Sequence, residues 1–236
     1  MGIITIAFDD CYADVFEHCA AFLAENKIRA TFAVPSACIG GTLENRSVMT
    51  KDQLVSLIAD GHEIASHTTG HRNLLDIYNS EGEEAVLKEM TTSKGSLQTL
   101  LGIKVESFVF PFITANHNER MLDIAAEHYL SSRITAEGFA FNGLPPKAPF
   151  SAVGTPIMTD MPMSEYDKLV EIVSARDLWL IEVFHLVSDK NTKSAHRDAP
   201  YRFFTLIDTF RDHICYILSK KVPVMTQGEV VRRYRK

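Results

Sequence analysis

Two adjacent carboxylates end the first apolar stretch of the chain. Residues 2–8 are mostly apolar or β-branched, which indicates a buried strand, and Asp9 and Asp10 follow it directly. Successive side chains of a strand point to opposite faces, so both acids can serve one site only if the chain leaves strand geometry there. Two like charges this close predict that one carboxylate binds a cation or has a raised pKa. The alternative is that the pair caps the helix that follows.

Two histidines, His67 and His71, are spaced to bind a divalent ion. A separation of four residues places two imidazoles on one side of a helical turn. With one carboxylate they would hold a zinc-like ion and leave a coordination position open, which is the catalytic rather than the structural arrangement. The alternative is a histidine-containing turn at the surface. A third histidine, His185, follows the apolar run 178–184.

The composition is that of a folded globular protein. Of 236 residues, 46% are hydrophobic and 23% are charged, and the net charge is -6. The negative net charge argues against binding to nucleic acid, which requires a basic face. No apolar run has the length of a membrane span. The basic run 232–236 would complement the negative, carboxyl-terminal end of the dipole of a last helix. Four cysteines without CxxC spacing indicate a reducing compartment, and no signal peptide is visible. A cytoplasmic location is expected for the chain as given, and the alternative is a chain whose signal peptide has been removed.

Apolar strand patterns alternate with helical patterns along the chain. Strands are predicted at 2–8, 28–34, 62–66, 106–110, 129–134, 178–184 and 222–225, with a weak strand near 151–153. Helices are predicted at 13–26, from 50 to near 61, at 80–101, 118–127, 164–175 and 201–220, and from 226 onward. Capping boxes at Thr50, Ser80, Ser164 and Thr226 would begin four of them.

This alternation predicts a parallel sheet that closes, or nearly closes, into a (β/α) barrel. A single domain would span residues 1–236, because no linker or repeat divides the chain. The polar residues named above all follow strands, so they should converge at the carboxyl-terminal end of the barrel. Any substrate specificity would come from loops, chiefly the loop-rich interval 135–162.

At these residues the sequence resembles the polysaccharide deacetylases of the nodulation-deacetylase homology superfamily, a group like carbohydrate esterase family four. The family's first motif, Thr-Phe-Asp-Asp-Gly, is represented at 7–11 by Ala-Phe-Asp-Asp-Cys. The second, His-Ser/Thr-x-x-His, is represented at 67–71 by His-Thr-Thr-Gly-His. The segments 30–35 and 61–66 are also similar to family sequence, so the resemblance extends over nearly the whole chain.

The resemblance implies a distorted (β/α)7 barrel and a ligand set of Asp10, His67 and His71 for one divalent ion, most simply zinc. It also implies that Asp9 is the general base and that His185, in place of the histidine of a Leu-x-His pattern, is the general acid. In physical terms, a metal ion lowers the pKa of water and polarises an amide carbonyl, while an imidazolium protonates the departing amine.

Three more residues are candidates for substrate contact. Pro111 and Phe112 belong to the segment that aligns with the family's third motif, and Trp179 offers an aromatic face. For Trp179, packing inside its strand is the alternative.

The function implied by the resemblance is a metal-dependent hydrolase that removes N-acetyl groups from an amino-sugar-containing glycan or oligosaccharide. One alternative is hydrolysis of a cyclic or linear non-sugar amide at the same site. The other is a carbohydrate-binding domain that keeps the metal without catalysis.

The third family motif, Arg-x-Pro-Tyr, is incomplete in this sequence. It aligns with 109–112, Val-Phe-Pro-Phe, so both its arginine and its tyrosine hydroxyl are missing. Without an arginine at Val109, Asp9 is expected to be unpaired and to have a higher pKa than in the family. A cation such as Arg133 or Lys147 could instead enter from another strand or loop and restore the pair.

Two further departures from the family concern the neighbours of the acids and of His185. Cys11 stands where the family has glycine, and a small filler is favoured over an extra ligand or an oxidation-sensitive thiol. The family's fourth motif supplies an aspartate that pairs with the acid histidine. It has no clear counterpart, and Asp160 is the best candidate.

Overall fold

A computed structural model of the protein describes residues 1–113, 116–189 and 202–235. Twelve strands are found in these ranges. They are β1 (Ile3–Phe8), β2 (Thr31–Val34), β3 (Thr42–Leu43), β4 (Arg46–Ser47), β5 (Glu63–Ser66), β6 (Ser107–Val109), β7 (Ser131–Thr135), β8 (Asn142–Gly143), β9 (Ala152–Pro156), β10 (Leu178–Phe184), β11 (Leu186–Ser188) and β12 (Phe204–Leu206).

Eight α-helices and one 3-10 turn connect the strands of the described chain. The helices are α1 (Ala13–Glu25), α2 (Lys51–Ala59), α3 (Leu74–Glu81), α4 (Glu83–Leu101), α5 (Glu119–His128), α6 (Met163–Ala175), α7 (Ile207–Ser219) and α8 (Gln227–Tyr234), and the 3-10 turn is Ser36–Cys38. None of these helices has the length and apolar character needed to cross a bilayer.

Seven parallel strands close into a barrel, as predicted. Their order is β1-β2-β5-β6-β7-β9-β10, and β10 pairs back with β1 along its length, from Ile3 opposite Trp179 to Phe8 opposite Phe184. The short β8 adds an antiparallel pairing to β10. Right-handed crossover helices cover such a barrel and leave its strand ends free to carry a site.

Side chains of β10 alternate between the two sides of the barrel wall. Leu180 and Phe184 belong to the large core between wall and helices, whereas Trp179, Ile181 and Val183 belong to a second cluster inside the barrel. Helix α8 contributes to that second cluster and covers the amino-terminal end. The opposite, carboxyl-terminal end is therefore the open one.

Several predicted boundaries are wrong around the helix at 80–101. A separate helix, α3, precedes it, and Ser80 lies inside α3, where its hydroxyl donates to the carbonyl of Asp76 at 2.6 Å. Gly82, with a φ of 87°, divides α3 from α4, so no capping box begins α4. Likewise Pro162 rather than Ser164 precedes α6. The capping boxes at Thr50 and Thr226 are confirmed.

Three strand or helix predictions also need correction. The weak strand near 151–153 is a complete barrel strand, β9. The segment 222–225 is no barrel strand, because Val224 makes an isolated bridge to Ile4. The helix predicted from Tyr201 begins at Ile207, after β12, and Tyr201 itself lies outside the described residues.

Candidate functional site

Asp10, His67 and His71 come together at the carboxyl-terminal end of the barrel. The Nε2 atoms of His67 and His71 lie 3.5 Å and 3.1 Å from Oδ1 of Asp10. The potential ligand atoms of the three residues all lie within 4.8 Å of one another. Burial would raise the pKa of Asp10, but the two imidazoles beside its carboxylate outweigh this effect and hold the pKa well below the ordinary value.

Left-handed backbone lets both acids face the cavity. Asp10 and Cys11 have φ values of 68° and 51°, so the chain leaves strand geometry directly after β1, as predicted. The turn that carries the two histidines is not helical, contrary to the expectation from their spacing. Thr68 and His71 have φ values of 65° and 57°, and this irregular turn places the imidazoles 4.9 Å apart between ring centroids.

Hydrogen bonds from neighbouring elements fix the histidine turn. The Nδ1 of His67 donates to the carbonyl of Val109 at 2.8 Å, which directs its Nε2 towards Asp10. From helix α4, Glu89 Oε1 accepts the backbone N–H groups of Thr69 and Gly70 at 3.0 Å and 3.1 Å. These supports could not be predicted from the sequence, because nothing in the local pattern of α4 marks Glu89.

Asp9 is paired with a buried arginine, so the expectation of an unpaired carboxylate is wrong. Arg133 on β7 donates to Oδ1 of Asp9 and, through Nη1, to Oγ1 of Thr135 at 2.9 Å. Burial would raise the pKa of Asp9, but the Arg133 guanidinium and nearby imidazoles outweigh it and lower the pKa. Of the two substitute cations considered, Arg133 makes this contact, whereas Lys147 is exposed.

His185 follows β10 and reaches the same cavity without a carboxylate partner in the described chain. Its Nδ1 is buried and makes no hydrogen bond to the described residues. Its ring stacks on Phe203, with centroids 4.6 Å apart and planes 24° from parallel. Asp160, suggested as its partner, is exposed, so that suggestion is wrong. Burial lowers the pKa of His185 despite the nearby acids.

The cavity that these side chains share has a volume of about 240 Å³. The ring of Phe112 is exposed there and lies 4.8 Å from the ring of His71. The lining residues are Asp9, Asp10, Glu44, His67, His71, Phe112, Ile113, Thr135, His185, Arg202 and Phe203.

Two of the suggested substrate contacts are placed elsewhere. Trp179 is fully buried inside the barrel, where its Nε1 donates to Thr5 Oγ1 at 2.9 Å. It lies six residues before His185, or about 20 Å along an extended strand, so it packs in the core and does not line the cavity. Pro111 is buried beside Phe112 and accepts a hydrogen bond from Asn116 through its carbonyl.

Cys11 is completely buried and lies outside the group of potential ligands. Its Sγ donates to the carbonyl of Ala33 at 3.3 Å. Burial and the adjacent acids raise the pKa of the thiol well above its ordinary value, so it stays protonated. This position supports the interpretation of Cys11 as a small filler.

The family model described as polysaccharide deacetylase matches residues 2–131, which include both the acidic pair and the histidine turn. The chain belongs to the polysaccharide deacetylase family. No curated protein matches the chain.

Solved structures of similar fold extend the comparison to the whole barrel. The Xyl-CE4 domain of a multidomain xylanase from the hindgut metagenome of Trinervitermes trinervoides is 16% identical, with a TM-score of 0.63 over 98% of this chain and 90% of that one. The chitin deacetylase of Colletotrichum lindemuthianum is also 16% identical, with a TM-score of 0.58 over 97% and 87%. IcaB from Ammonifex degensii is 19% identical, with a TM-score of 0.50, and the match spans 55% of this chain and 58% of that one.

The residues present fit the divalent ion that the family implies. Two imidazole nitrogens and one carboxylate oxygen are a donor set that zinc takes in catalytic sites. His67 uses Nδ1 for Val109, which leaves Nε2 as its ligand atom. Asp10 is held ionised, as a ligand must be.

Proposed function

We propose that this chain hydrolyses the N-acetyl amide of an amino sugar in a glycan or oligosaccharide, as a single catalytic domain spanning residues 1–236. Asp10, His67 and His71 would hold one divalent ion, most simply zinc. The observation that carries the proposal is the shared cavity, where these three residues lie beside the Asp9–Arg133 pair and His185. Membership of the deacetylase family supports the same reaction class.

The environments of Asp9 and His185 support the roles of base and acid that the resemblance implies. Asp9, whose pKa is lowered with Arg133 beside it, is ionised at neutral pH and would accept a proton from the attacking water. His185 would donate from its imidazolium form, and the lowering of its pKa by burial makes that form a stronger acid towards the leaving amine. A divalent ion, when bound, would supply Lewis-acid activation of the water and of the amide carbonyl.

The cavity is small compared with pockets of about 300–1,000 Å³ that enclose a drug-sized ligand. It would take the acetamido group and its neighbouring ring, while the rest of a glycan lies outside. Phe112 and Phe203 offer aromatic surface at this point, and Pro111 would act by supporting the backbone next to Phe112.

A carbohydrate-binding domain that keeps the metal without catalysis would be favoured if no arginine held Asp9. Because Arg133 bonds to Asp9, this alternative lacks that support. Hydrolysis of a non-sugar amide would use the same catalytic groups, so only an activity assay can distinguish it from deacetylation of a sugar. Acetate release from N-acetyl-chitooligosaccharides, compared with ammonia or acid release from cyclic and linear amides, distinguishes the two substrate classes.

Metal analysis tests the ligand set separately from turnover. Wild type loaded with zinc and desalted should retain one ion per chain, and His67→Ala or His71→Ala should lose it, because two remaining ligands bind zinc far more weakly than three. His18→Ala on α1 is the matched control and should retain the ion. Wild type without bound metal after this treatment would refute the site.

Substitutions of the two acids separate base from ligand. Asp9→Asn should keep the ion and lose at least about 100-fold in kcat, since the base is removed and the ligands remain. Asp10→Asn should lose the ion. Equal loss of metal from both variants would mean that the two roles are wrongly assigned.

A further inference from the structure

Arg133 is a fully buried cation inside the barrel, and its hydrogen bonds account for why it can be buried. The side chain is 0% exposed. Its two terminal nitrogens are divided between Asp9 Oδ1 and Thr135 Oγ1. A buried charge is tolerated when it is paired and hydrogen-bonded, so the Asp9–Arg133 pair is a built feature of the barrel interior.

The strand register places Arg133 directly beside Val109. In the pairing of β6 with β7, Val109 lies opposite Arg133. Residues paired in this way project to the same face, from strands about 4.8 Å apart. A guanidinium starting from either position therefore has the same side of the barrel, and the same carboxylate, within reach.

Small residues at two positions make room for the arginine on β7. Val109 packs with Ala33 and Ala65 in a small apolar cluster. On the other side, Gly154 of β9 faces the arginine, and a Cβ there would lie 3.0 Å from Arg133 Nη1 and 3.2 Å from its Cδ. The space that Arg133 fills is thus provided by a valine on one neighbouring strand and a glycine on the other.

We propose that Arg133 is the positioning residue for the base. From β7 it orients Asp9, a role that the resemblance assigns to the third-motif arginine at the position of Val109. Its guanidinium fixes the orientation of the Asp9 carboxylate towards the attacking water. The inference rests on the proposed function for its kinetic consequences, but the placement of Asp9 can be measured without turnover.

The first test is Arg133→Met, which keeps an unbranched side chain of similar length without the charge. Turnover of N-acetyl-chitooligosaccharide by the zinc-loaded protein should lose at least about 100-fold in kcat with KM changed less than about threefold, because a misplaced base affects the transition state more than binding. The crystal structure should show the Asp9 carboxylate rotated from its wild-type direction. Lys147→Met, at an exposed cation, is the control and should leave kcat unchanged.

The second test moves the arginine from position 133 to position 109, where the third family motif has it. In the Arg133→Val background, adding Val109→Arg should recover at least about tenfold in kcat and return the Asp9 carboxylate to its direction. Arg133→Lys tests the role without removing the charge on which folding could depend. A lysine keeps the buried charge but lacks the planar guanidinium that bonds to Asp9 and Thr135 from two separate nitrogens. We expect an intermediate kcat, whereas wild-type kcat in Arg133→Lys would overturn the positioning role.

The two proposals fail in different ways. If wild type releases acetate and Arg133→Met keeps both its kcat and the direction of Asp9, the inference is wrong and the proposed function stands. If wild type releases no acetate, the proposed function fails, and the crystal structures of Arg133→Met and of the double variant still decide whether Arg133 positions Asp9.

Discussion

Six of the nine non-glycine residues with left-handed backbone in the described chain lie at or beside the cavity. They are Asp10, Cys11, Glu44, Thr68, His71 and Phe112, and the other three are Lys27, Asn45 and Lys221. Such backbone costs about 1–3 kcal/mol per residue and persists where surrounding contacts hold it. Here it turns two consecutive acids and two histidines inward, so the strain accompanies the assembly of the candidate ligand set.

Position 154 reports how closely the side chains inside the barrel pack around Arg133. A Cβ at this position would also lie 2.6 Å from Cγ2 of Val183, closer than side-chain packing permits. We expect Gly154→Ala to destabilise the protein by about 1–3 kcal/mol, measured as the free energy of unfolding in urea, because either Val183 or Arg133 must move. An unchanged urea midpoint would show that the barrel interior has spare room at β9.

At the residue scale, the sequence predicted the residues that directly follow strands and missed those that meet only through strand register. Asp10 and His67 each follow a strand that the sequence predicts, so their convergence follows from a parallel barrel. Arg133 could be named only as one of two candidate cations. Its contact with Asp9 depends on which residue of β7 lies opposite Val109, and a one-residue shift in register would turn it to the other face.

Helix α4 supports the histidine turn from outside the barrel. Glu89 accepts the N–H groups of Thr69 and Gly70, while Ser93 donates to the carbonyl of Thr68 at 2.8 Å. The turn has left-handed residues at both ends of this segment, so it depends on these contacts for its conformation. Helix α4 thus contributes to the candidate site without supplying a ligand.

We expect Glu89→Ala to weaken zinc binding by about 10- to 100-fold, because the loss of partners outside the ligand set lets the turn and His71 shift. Competition with a chromogenic zinc chelator measures the dissociation constant. Glu84→Ala, at an exposed position of the same helix, is the matched control. Equal zinc affinity in Glu89→Ala and wild type would mean that the turn holds its shape without α4.

A second prediction on α4 concerns its only glycine. Gly95 is exposed in the middle of the helix, and a Cβ there meets nothing within 4 Å. We expect Gly95→Ala to stabilise the protein by about 0.5–1 kcal/mol in urea unfolding, since alanine has the higher helix propensity. A destabilised Gly95→Ala would indicate that α4 packs differently from its position here.

The presence of most helices and strands can be predicted from the periodicity of hydrophobic residues. The residues at which several of them begin and end depend instead on tertiary contacts. The strand β10 has the limits predicted for it, because its segment is apolar apart from Glu182 and is buried on both faces. The strand β9 was underestimated because Gly154 and Pro156 weaken its local signal, although the register with Arg133 and Glu182 stabilises it. Ser80 and Ser164 matched capping-box spacing, but their chain segments were already helical.

At the scale of the whole molecule, a buried ionic network joins the barrel wall to two helices. His213 of α7 lies between Asp167 of α6, 2.7 Å from Nδ1, and Glu182 of β10, 2.9 Å from Nε2. His213 and Glu182 are both buried. Glu182 faces the helices because it alternates with the interior residues of β10, so it takes no part in the cavity.

This network predicts a stability that falls at alkaline pH. Burial lowers the pKa of His213, but Glu182 and Asp167 outweigh it and raise the pKa to about 9. Because this folded value exceeds the unfolded value of about 6.5, the imidazolium stabilises the fold fully below pH 6.5, and its contribution, about 3 kcal/mol, is lost between pH 6.5 and about 9.

Urea unfolding of metal-free protein at pH 6 and pH 9.5 measures the loss, and removing the metal excludes the pH dependence of zinc binding. The double variant Glu182→Gln/His213→Gln is the reference, since it removes the buried charges together and keeps every other titrating group. Wild type should lose about 3 kcal/mol more than this variant across the interval. Equal losses would show that His213 is not held in its charged form by the two carboxylates, and that the link between β10, α6 and α7 is one of packing alone.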